Sequence, residues 1–281
     1  MKCRSAVLGA VRACALMCTL ASTLVLTWAF TWAFTWAQDM MRHVDLSSPD
    51  MTMAEMTRDQ VVAAAAAAGA SASVDFSGKR LNGLDLSGLD LSGADLRAAR
   101  LNRTKLIGTK LDRAVLNQAW LLEADLSGAS LKDATLLGAQ LQRVKLDGAD
   151  LSGARVAADF SGASLVGASI AGGNLGVDVK NQSMGLMRSV LRSANLKGVN
   201  ARGADLSRAD LEFASLVEAD LTGVSLTGAL LGGADLTGAI VTGTDFDNAD
   251  LVSTRLIRPV GLDAARNLDK AKNLERAQRD K

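Results

Sequence analysis

The sequence predicts a repeat architecture with a narrow core, lying behind an export segment. Three observations predict it: an apolar residue at every fifth position through most of the chain, a near absence of large aromatics, and cysteines (Cys3, Cys14, Cys18) confined to the N-terminus. A fixed short period marks a repeat architecture, in which each unit buries its apolar side only by stacking on its neighbours. A globular core draws heavily on aromatic side chains. This chain of 281 residues has no tyrosine, and half of its few Phe and Trp (Trp28, Phe30, Trp32, Phe34, Trp36) fall in the N-terminal apolar segment. Its core must therefore be thin and built from small and mid-sized aliphatics.

The N-terminus reads as an export signal. Lys2, Arg4 and Arg12 give a basic start, and no charged residue follows from Ala13 to Gln38. Thr35-Trp36-Ala37 offers a small residue at the last position, as signal peptidase requires. The apolar run is long enough to span a bilayer, and its excess length has a source: Thr27-Trp28-Ala29-Phe30 recurs at 31–34. Residues 1–37 are expected to be a signal peptide cleaved after Ala37 or, uncleaved, a membrane anchor through 13–37.

Residues 38–73 then make a linker and a cap. The stretch 38–51, with His43 and Pro49, reads as a polar linker. Thr52-x-x-Glu55 and Thr57-x-x-Gln60 both have the form of capping boxes, and Val61, Val62 and alanines 63–68 continue a helix that Gly69 can stop. One helix over 52–68 is expected to plug the mouth of the tube.

From Phe76 the apolar position recurs at Leu81, Leu86, Leu91 and so on to Leu151 and Val156. Ala usually sits two residues before it (Ala94, Ala99, Ala114, Ala119), often with Asp between and Ser-Gly or Thr-Gly after. A period of five fits neither a helix nor a strand. The phase slips by one at Phe160, Leu165, Ile170 and Leu175, breaks over Gly176–Val190, and resumes from Leu191 to Leu256.

These tandem Ala-Asp-Leu-x-x units resemble the pentapeptide-repeat family over residues 74–258. The resemblance implies an all-β, right-handed quadrilateral β-helix with four pentapeptides per coil. The central Leu or Phe and the Ala two before it would face inward, and the other three residues outward. Thirty-five units then give about nine coils and, at ~4.8 Å per coil, a rod of roughly 40 Å. Residues twenty apart would stack, so that Asp85, Lys105, Asp125 and Lys145 form one column and Trp120 lies beside Arg100. The break at 176–190 is expected to be a projecting loop or one distorted coil; in some relatives such loops matter to target binding. The tail 259–281 carries Leu262, Ala265, Leu268, Ala271, Leu274 and Ala277 at a spacing of three, which drifts around a helix. It is expected to form short helical turns capping the C-terminal end, with a homodimer contact as the alternative.

Catalytic chemistry is not expected. The only histidine, His43, lies in the linker, which excludes a Ser-His-Asp triad. The repeat body has no Cys or His to hold zinc or iron, and Gly78-Lys79-Arg80 lacks the remainder of a phosphate-binding loop. No cofactor or metal is implied, and the many Asp residues are expected to keep the surface soluble and close turns. The formal net charge is only +1, but it is unevenly spread. Arg97, Arg100, Arg103, Lys105, Lys110 and Arg113, with Trp120, make the early coils a possible partner surface. Coils 209–254 hold Asp210, Glu212, Glu218, Asp220, Asp235, Asp245, Asp247 and Asp250 without Lys or Arg.

The expected function is a non-enzymatic scaffold outside the cytoplasm, periplasmic, secreted or anchored to the inner membrane, offering flat faces to a protein or envelope partner. Nucleic acid is not an expected partner. The resemblance supplies a rival, since some relatives mimic an anionic duplex and occupy a type II topoisomerase. Coils 209–254 would then be the mimic, although the export segment and the basic early coils argue against it.

Overall fold

One unit, Ala124-Asp125-Leu126-Ser127-Gly128, shows how the chain winds. In the computed structural model, which describes residues 44–68, 73–176 and 188–280, all five of its backbone N–H groups have acceptors. Asp125 N donates to Thr104 O (3.0 Å) on the coil before, and Leu126 N and Gly128 N donate to Lys145 O (2.7 Å) and Asp147 O (2.9 Å) on the coil after. Ala124 N closes a turn onto Leu121 O (3.0 Å). Ser127 N takes the Asp125 carboxylate (3.1 Å). A buried backbone must be satisfied in this way, so a five-residue unit supplies a complete set of partners once coils stack. The turn places its third residue at positive φ, as a type II turn does; Gly128 has φ 64°.

Stacked bridges define four faces. Face 1 runs Asp75, Asp95, Val115, Thr135; face 2 Arg80, Arg100, Trp120, Gln140; face 3 Asp85, Lys105, Asp125, Lys145; face 4 Asp90, Lys110, Ser130, Asp150. Every pairing is parallel, and the columns continue through nine coils into a tenth. The central Leu residues and the Ala two before them are buried along the tube, with Phe76, Phe160 and Phe246 fully enclosed. Where Thr or Ser takes the inward small position it stays satisfied: Thr104 Oγ1 donates to Leu81 O (2.8 Å) and Ser189 Oγ to Val156 O (3.1 Å).

The irregularities sit at the edge between faces 1 and 2. Two short strands, β1 (Thr135–Gln140) and β2 (Arg155–Asp159), run straight through this corner and pair in parallel with a shifted register after Leu137. The β2 corner has lost one residue, with Ala157 and Ala158 buried, which produces the phase slip. On the next coil the chain leaves after Leu175 and returns at Ser189 and Val190, which pairs with Asp159 and Asp210. The ladder thus closes across the break, as for an insertion rather than a distorted coil; residues 177–187 themselves lie outside the described residues.

The N-terminal region departs from the expected single helix. Helix α1 (Pro49–Thr52) and helix α2 (Arg58–Ala68) are separated by a non-helical stretch. The Thr57–Gln60 capping box forms: Thr57 N donates to Gln60 Oε1 (2.8 Å) and Gln60 N to Thr57 Oγ1 (3.3 Å). The Thr52–Glu55 box does not, because Thr52 Oγ1 donates back to Ser48 O (2.9 Å) while Glu55 turns to Lys79 (3.5 Å) and Arg80 (3.5 Å). Val61 of α2 joins the solenoid core. The end of the expected linker is not free either. Asp50 pairs with Arg80 (2.7 Å), Met51 is buried, and Asn82 and Asn102 donate to the carbonyls of Asp50, Met51 and Met53. The chain divides into compact units Met1–Leu46 and Ser47–Lys281; the export segment 1–37 and His43 lie outside the described residues. Among the described residues, no helix is long and apolar enough to cross a membrane.

The tail forms the expected short helical turns, and they are built into a further coil. Val260, Arg266, Lys272 and Gln278 extend the four ladders from Ile240, Asp245, Asp250 and Arg255, the last pair within strands β3 (Arg255–Leu256) and β4 (Gln278–Arg279). Each of its sides is six residues long and carries a 3-10 turn, at Leu262–Ala264, Leu268–Lys270 and Leu274–Arg276. The apparent period of three is thus a six-residue side with alternating Leu and Ala, all partly buried against the core.

Candidate functional site

The outward Asp residues are parts of the turns. Asp85, Asp125, Asp150, Asp205 and Asp220 each accept the N–H two residues ahead, the one donor per unit that the backbone ladder leaves over. The Ser87 hydroxyl and backbone N–H hold the Asp85 carboxyl below its ordinary range, and Ser92 does the same for Asp90. Where Asp is missing from this place, an Asn or Asp on the preceding coil accepts instead, as in Leu137 N to Asn117 Oδ1 (3.0 Å) and Lys132 N to Asp112 Oδ1 (3.1 Å).

The basic residues do not form one patch. Arg97 turns to Asp95 on face 1, Arg100 lies on face 2, Lys105 on face 3 and Lys110 on face 4. Arg103 sits at the edge between faces 2 and 3, and Arg113 at the edge between faces 4 and 1. Several are engaged: Arg103 with Glu123 (3.0 Å), Lys110 with Asp90 (3.6 Å), and Arg100 with Asp50 (3.9 Å). Arg100 and Trp120 do occupy adjacent rungs of face 2. In the face 3 column, Lys145 reaches Asp125 (4.0 Å) and Asp85 pairs with Arg58 (3.7 Å).

The acidic residues are equally dispersed and largely neutralised. Glu218 pairs with Lys197 (3.6 Å), Asp220 with Arg202 (2.9 Å), Asp235 with Arg255 (3.0 Å) and Asp245 with Arg266 (3.9 Å). Asp250 accepts from Asn273 Nδ2 (2.7 Å), and Asp247 from Asn248 (2.9 Å). Their cationic partners come from the neighbouring coils or the tail, outside the stretch that lacks Lys and Arg. Asp210 is fully buried, held by Arg192 (2.8 Å) and Arg188 (3.6 Å), with Glu212 on the same Arg192 (2.8 Å). The Asp210 hydrogen bond raises the Arg192 pKa.

Several outward apolar groups interrupt this polar surface, among them Ile107, Val166 and Val260 and the two outward aromatics. Trp120 is half-buried on face 2, and Phe213, which the sequence reading passed over, is 65% exposed at the edge between faces 2 and 3. A cavity of about 550 Å³ at the C-terminal end is lined by Leu256, Arg258, Pro259, Leu262, Ala277, Arg279 and Asp280. Among the described residues no group of His, Cys, Asp and Glu is placed to hold a metal ion.

The match to a family model agrees with this architecture. The pentapeptide-repeats model matches residues 80–118, 109–148, 119–156, 186–223 and 214–252, with eight copies. Similar solved structures include HetL, a pentapeptide repeat protein involved in heterocyst differentiation regulation in the cyanobacterium Nostoc sp. strain PCC 7120. It is 28% identical over 79% of this chain and 94% of its own, with TM-score 0.37. QnrB1, a plasmid-mediated fluoroquinolone resistance protein, is 16% identical over 73% of this chain and 91% of its own, with TM-score 0.40. A pentapeptide repeat protein of the Arabidopsis thaliana thylakoid lumen is 22% identical over 62% of this chain and 68% of its own, with TM-score 0.23. No curated protein matches. With the repeat matched over more than half of its length, the chain belongs to the pentapeptide-repeat family, whose fold is a right-handed quadrilateral β-helix.

Proposed function

We propose that the protein is an exported, non-enzymatic scaffold that presents its solenoid faces to a protein or envelope partner. The family is generally one of structural and interaction proteins. The observation that carries the reading is the way the surface is used. Outward Asp, Ser and Asn close turns, and charged side chains pair between coils, so the rod holds a fixed shape on which a few large groups stand out. Export is supported by Lys2, Arg4 and Arg12 ahead of an uncharged apolar run. Helix α2 and the widened last coil serve as its caps, because a solenoid otherwise ends on open core.

The topoisomerase reading, in which coils 209–254 imitate an anionic duplex, is weakened by the ion pairs that neutralise those coils. Such a mimic needs rows of unpaired carboxylates, whereas Asp220, Asp235 and Asp245 each face an arginine. Cell fractionation with N-terminal sequencing of the mature protein tests the proposal. A protein outside the cytoplasm that starts after Ala37, or that stays membrane-bound with residues 1–37 intact, is the expected result. A cytoplasmic protein, unchanged in location when residues 1–37 are deleted, would refute export and restore the topoisomerase reading.

A further inference from the structure

Residues 48–53 lie on the tube without closing it. The mouth is plugged by helix α2, whose Val61 enters the core. Glu55 stands in for a rung before the first: its N–H donates to Arg80 O (2.9 Å), as Leu81 N does to Arg100 O (2.7 Å) one coil on. The stretch before Glu55 runs over the outside of face 2 and its edge with face 3. Met51 is buried there, yet it does not join the solenoid core.

The surface beneath is built to hold a peptide. Asn82 on the first coil and Asn102 on the second are 4% and 5% exposed, and each is used at both ends. Asn82 Oδ1 accepts Asn102 N (3.1 Å) and Asn102 Oδ1 accepts Leu122 N (3.0 Å), the donors that the backbone ladder leaves over. Their Nδ2 groups face outward, from Asn82 to the carbonyls of Asp50 and Met53 (3.1 Å each) and from Asn102 to that of Met51 (3.2 Å). Such contacts read main chain, while a buried side chain and a charge pair select sequence. Asn takes this place only on the first two coils; further along it is Leu122, Gln142, Ser161 and Arg192.

The hold on residues 48–53 is electrostatic and exposed. Asp50, 58% exposed, reaches Arg80 (2.7 Å) and Arg100 (3.9 Å), and pairs of this kind are weak and screened by salt. Among the described residues Arg100 pairs only with Asp50, and Arg80 only with Asp50 and Glu55. Lifting the stretch therefore leaves the tube plugged but frees one arginine and two amide donors. We propose that residues 48–53 are a strap over a docking groove, and that the lifted strap admits a partner-protein segment of its own chemistry, a carboxylate directly followed by a methionine. The closed strap lowers the apparent affinity by the fraction of molecules that are open. The inference rests on the scaffold reading and names the groove and the partner chemistry it would use.

The test is fluorescence anisotropy of a labelled peptide with the sequence of residues 45–54, titrated with the full-length protein. Asp50→Lys with Met51→Lys sets two cations against Arg80 and Arg100 and so opens the strap. The opened variant is expected to bind at roughly 10–100 μM and the wild type about tenfold more weakly or worse. Arg80→Ala with Arg100→Ala, added to the opened variant, should weaken binding about tenfold, and Lys110→Ala on face 4 should leave it unchanged. No binding by the opened variant at about 1 mM, equal binding by the wild type, indifference to the arginine substitutions, or displacement of the peptide by a DNA duplex would overturn the proposal. A second measurement on the wild type decides the matter even where the opened variant fails to fold. Hydrogen peroxide should oxidise Met51 while the coils remain folded, faster in about 1 M salt. A Met51 that is oxidised only as the coils melt would show that no strap lifts. Export is read on cell fractions, so a failed titration with an exported protein removes the groove alone, and peptide binding by a cytoplasmic protein removes export alone.

Discussion

Leu126→Ala tests whether the tube is held by its central column. Leu126 is fully buried, with Leu106 and Leu146 at the equivalent positions on the coils before and after. Removing three carbons at ~0.8 kcal/mol per buried methylene gives roughly 2.4 kcal/mol of lost transfer energy. The cavity adds to this in proportion to how poorly the site collapses. Collapse is hindered here because Asp125 N and Leu126 N are tied to Thr104 O (3.0 Å) and Lys145 O (2.7 Å) on opposite sides of the coil. The expected loss is therefore about 3–4 kcal/mol, in the middle of the usual range for Leu→Ala. It should appear in urea denaturation as a lower midpoint with an unchanged slope. Ser127→Asp, one residue along and outward-facing, should move the midpoint by less than about 0.5 kcal/mol. A loss below about 1 kcal/mol for Leu126→Ala, or equal losses for both variants, would refute the inward and outward assignment.

With Trp28, Trp32 and Trp36 replaced by phenylalanine, a soluble quencher should reach the half-buried Trp120 partially in the folded protein, and Arg100→Ala should increase the quenching without changing the melting temperature; complete shielding would contradict the placement on face 2. Asp75, Asp85 and Asp90 are held below their ordinary pKa, first by Ser77, Ser87 and Ser92 hydroxyls and then by the backbone N–H of the same residues. Their stabilisation is complete above the unfolded value of about 4 and is lost as pH falls through the lower folded values. The urea midpoint should thus be flat from about pH 7 to 5 and drop below about pH 4, and a drop already between pH 7 and 5 would show that other groups govern acid stability. Asp210→Ala should cost about 1–2 kcal/mol, less than a fully buried ion pair, because Arg192 and Arg188 are partly exposed and can rehydrate; calorimetry showing no change would mean that the cluster contributes nothing net.

The solenoid was legible because one five-residue rule fixes both core and turns: Leu126 and Ala124 must go inward, and Asp125 must reach its own turn. The twenty-residue stacking of Asp85 on Lys105 came from the family resemblance and not from the period itself. What could not be read was whatever depends on the third dimension. The basic residues at 97–113 look like a cluster along the chain, but a coil advances one face every five residues and so deals them to all sides. The acidic window from 209 to 254 looks unpaired because its partners Lys197, Arg202, Arg255 and Arg266 stand one coil away, outside it. Phe213 and the buried Asp210 are single substitutions in an otherwise regular pattern, and only stacking shows that they share a side. In the tail the spacing of Leu262, Ala265 and Leu268 points to short turns, but only the ladder pairing of Arg266 and Lys272 shows that these turns are six-residue sides of the same coil.

The enlarged last coil bears on whether the rod can grow. A tube of identical rungs leaves an open row of backbone donors and acceptors at its end, the kind of edge on which fibrils form. Five-residue sides would accept the first rung of another molecule in register on every face at once. In this protein the offset between paired rungs widens from Ile240–Val260 to Asp245–Arg266, Asp250–Lys272 and Arg255–Gln278, one additional residue at each successive face. A regular rung laid on that perimeter can match one side but falls progressively out of step around the other three. The extra residue per side therefore changes the gauge of the tube at this coil, so that a five-residue rung no longer matches it on every face.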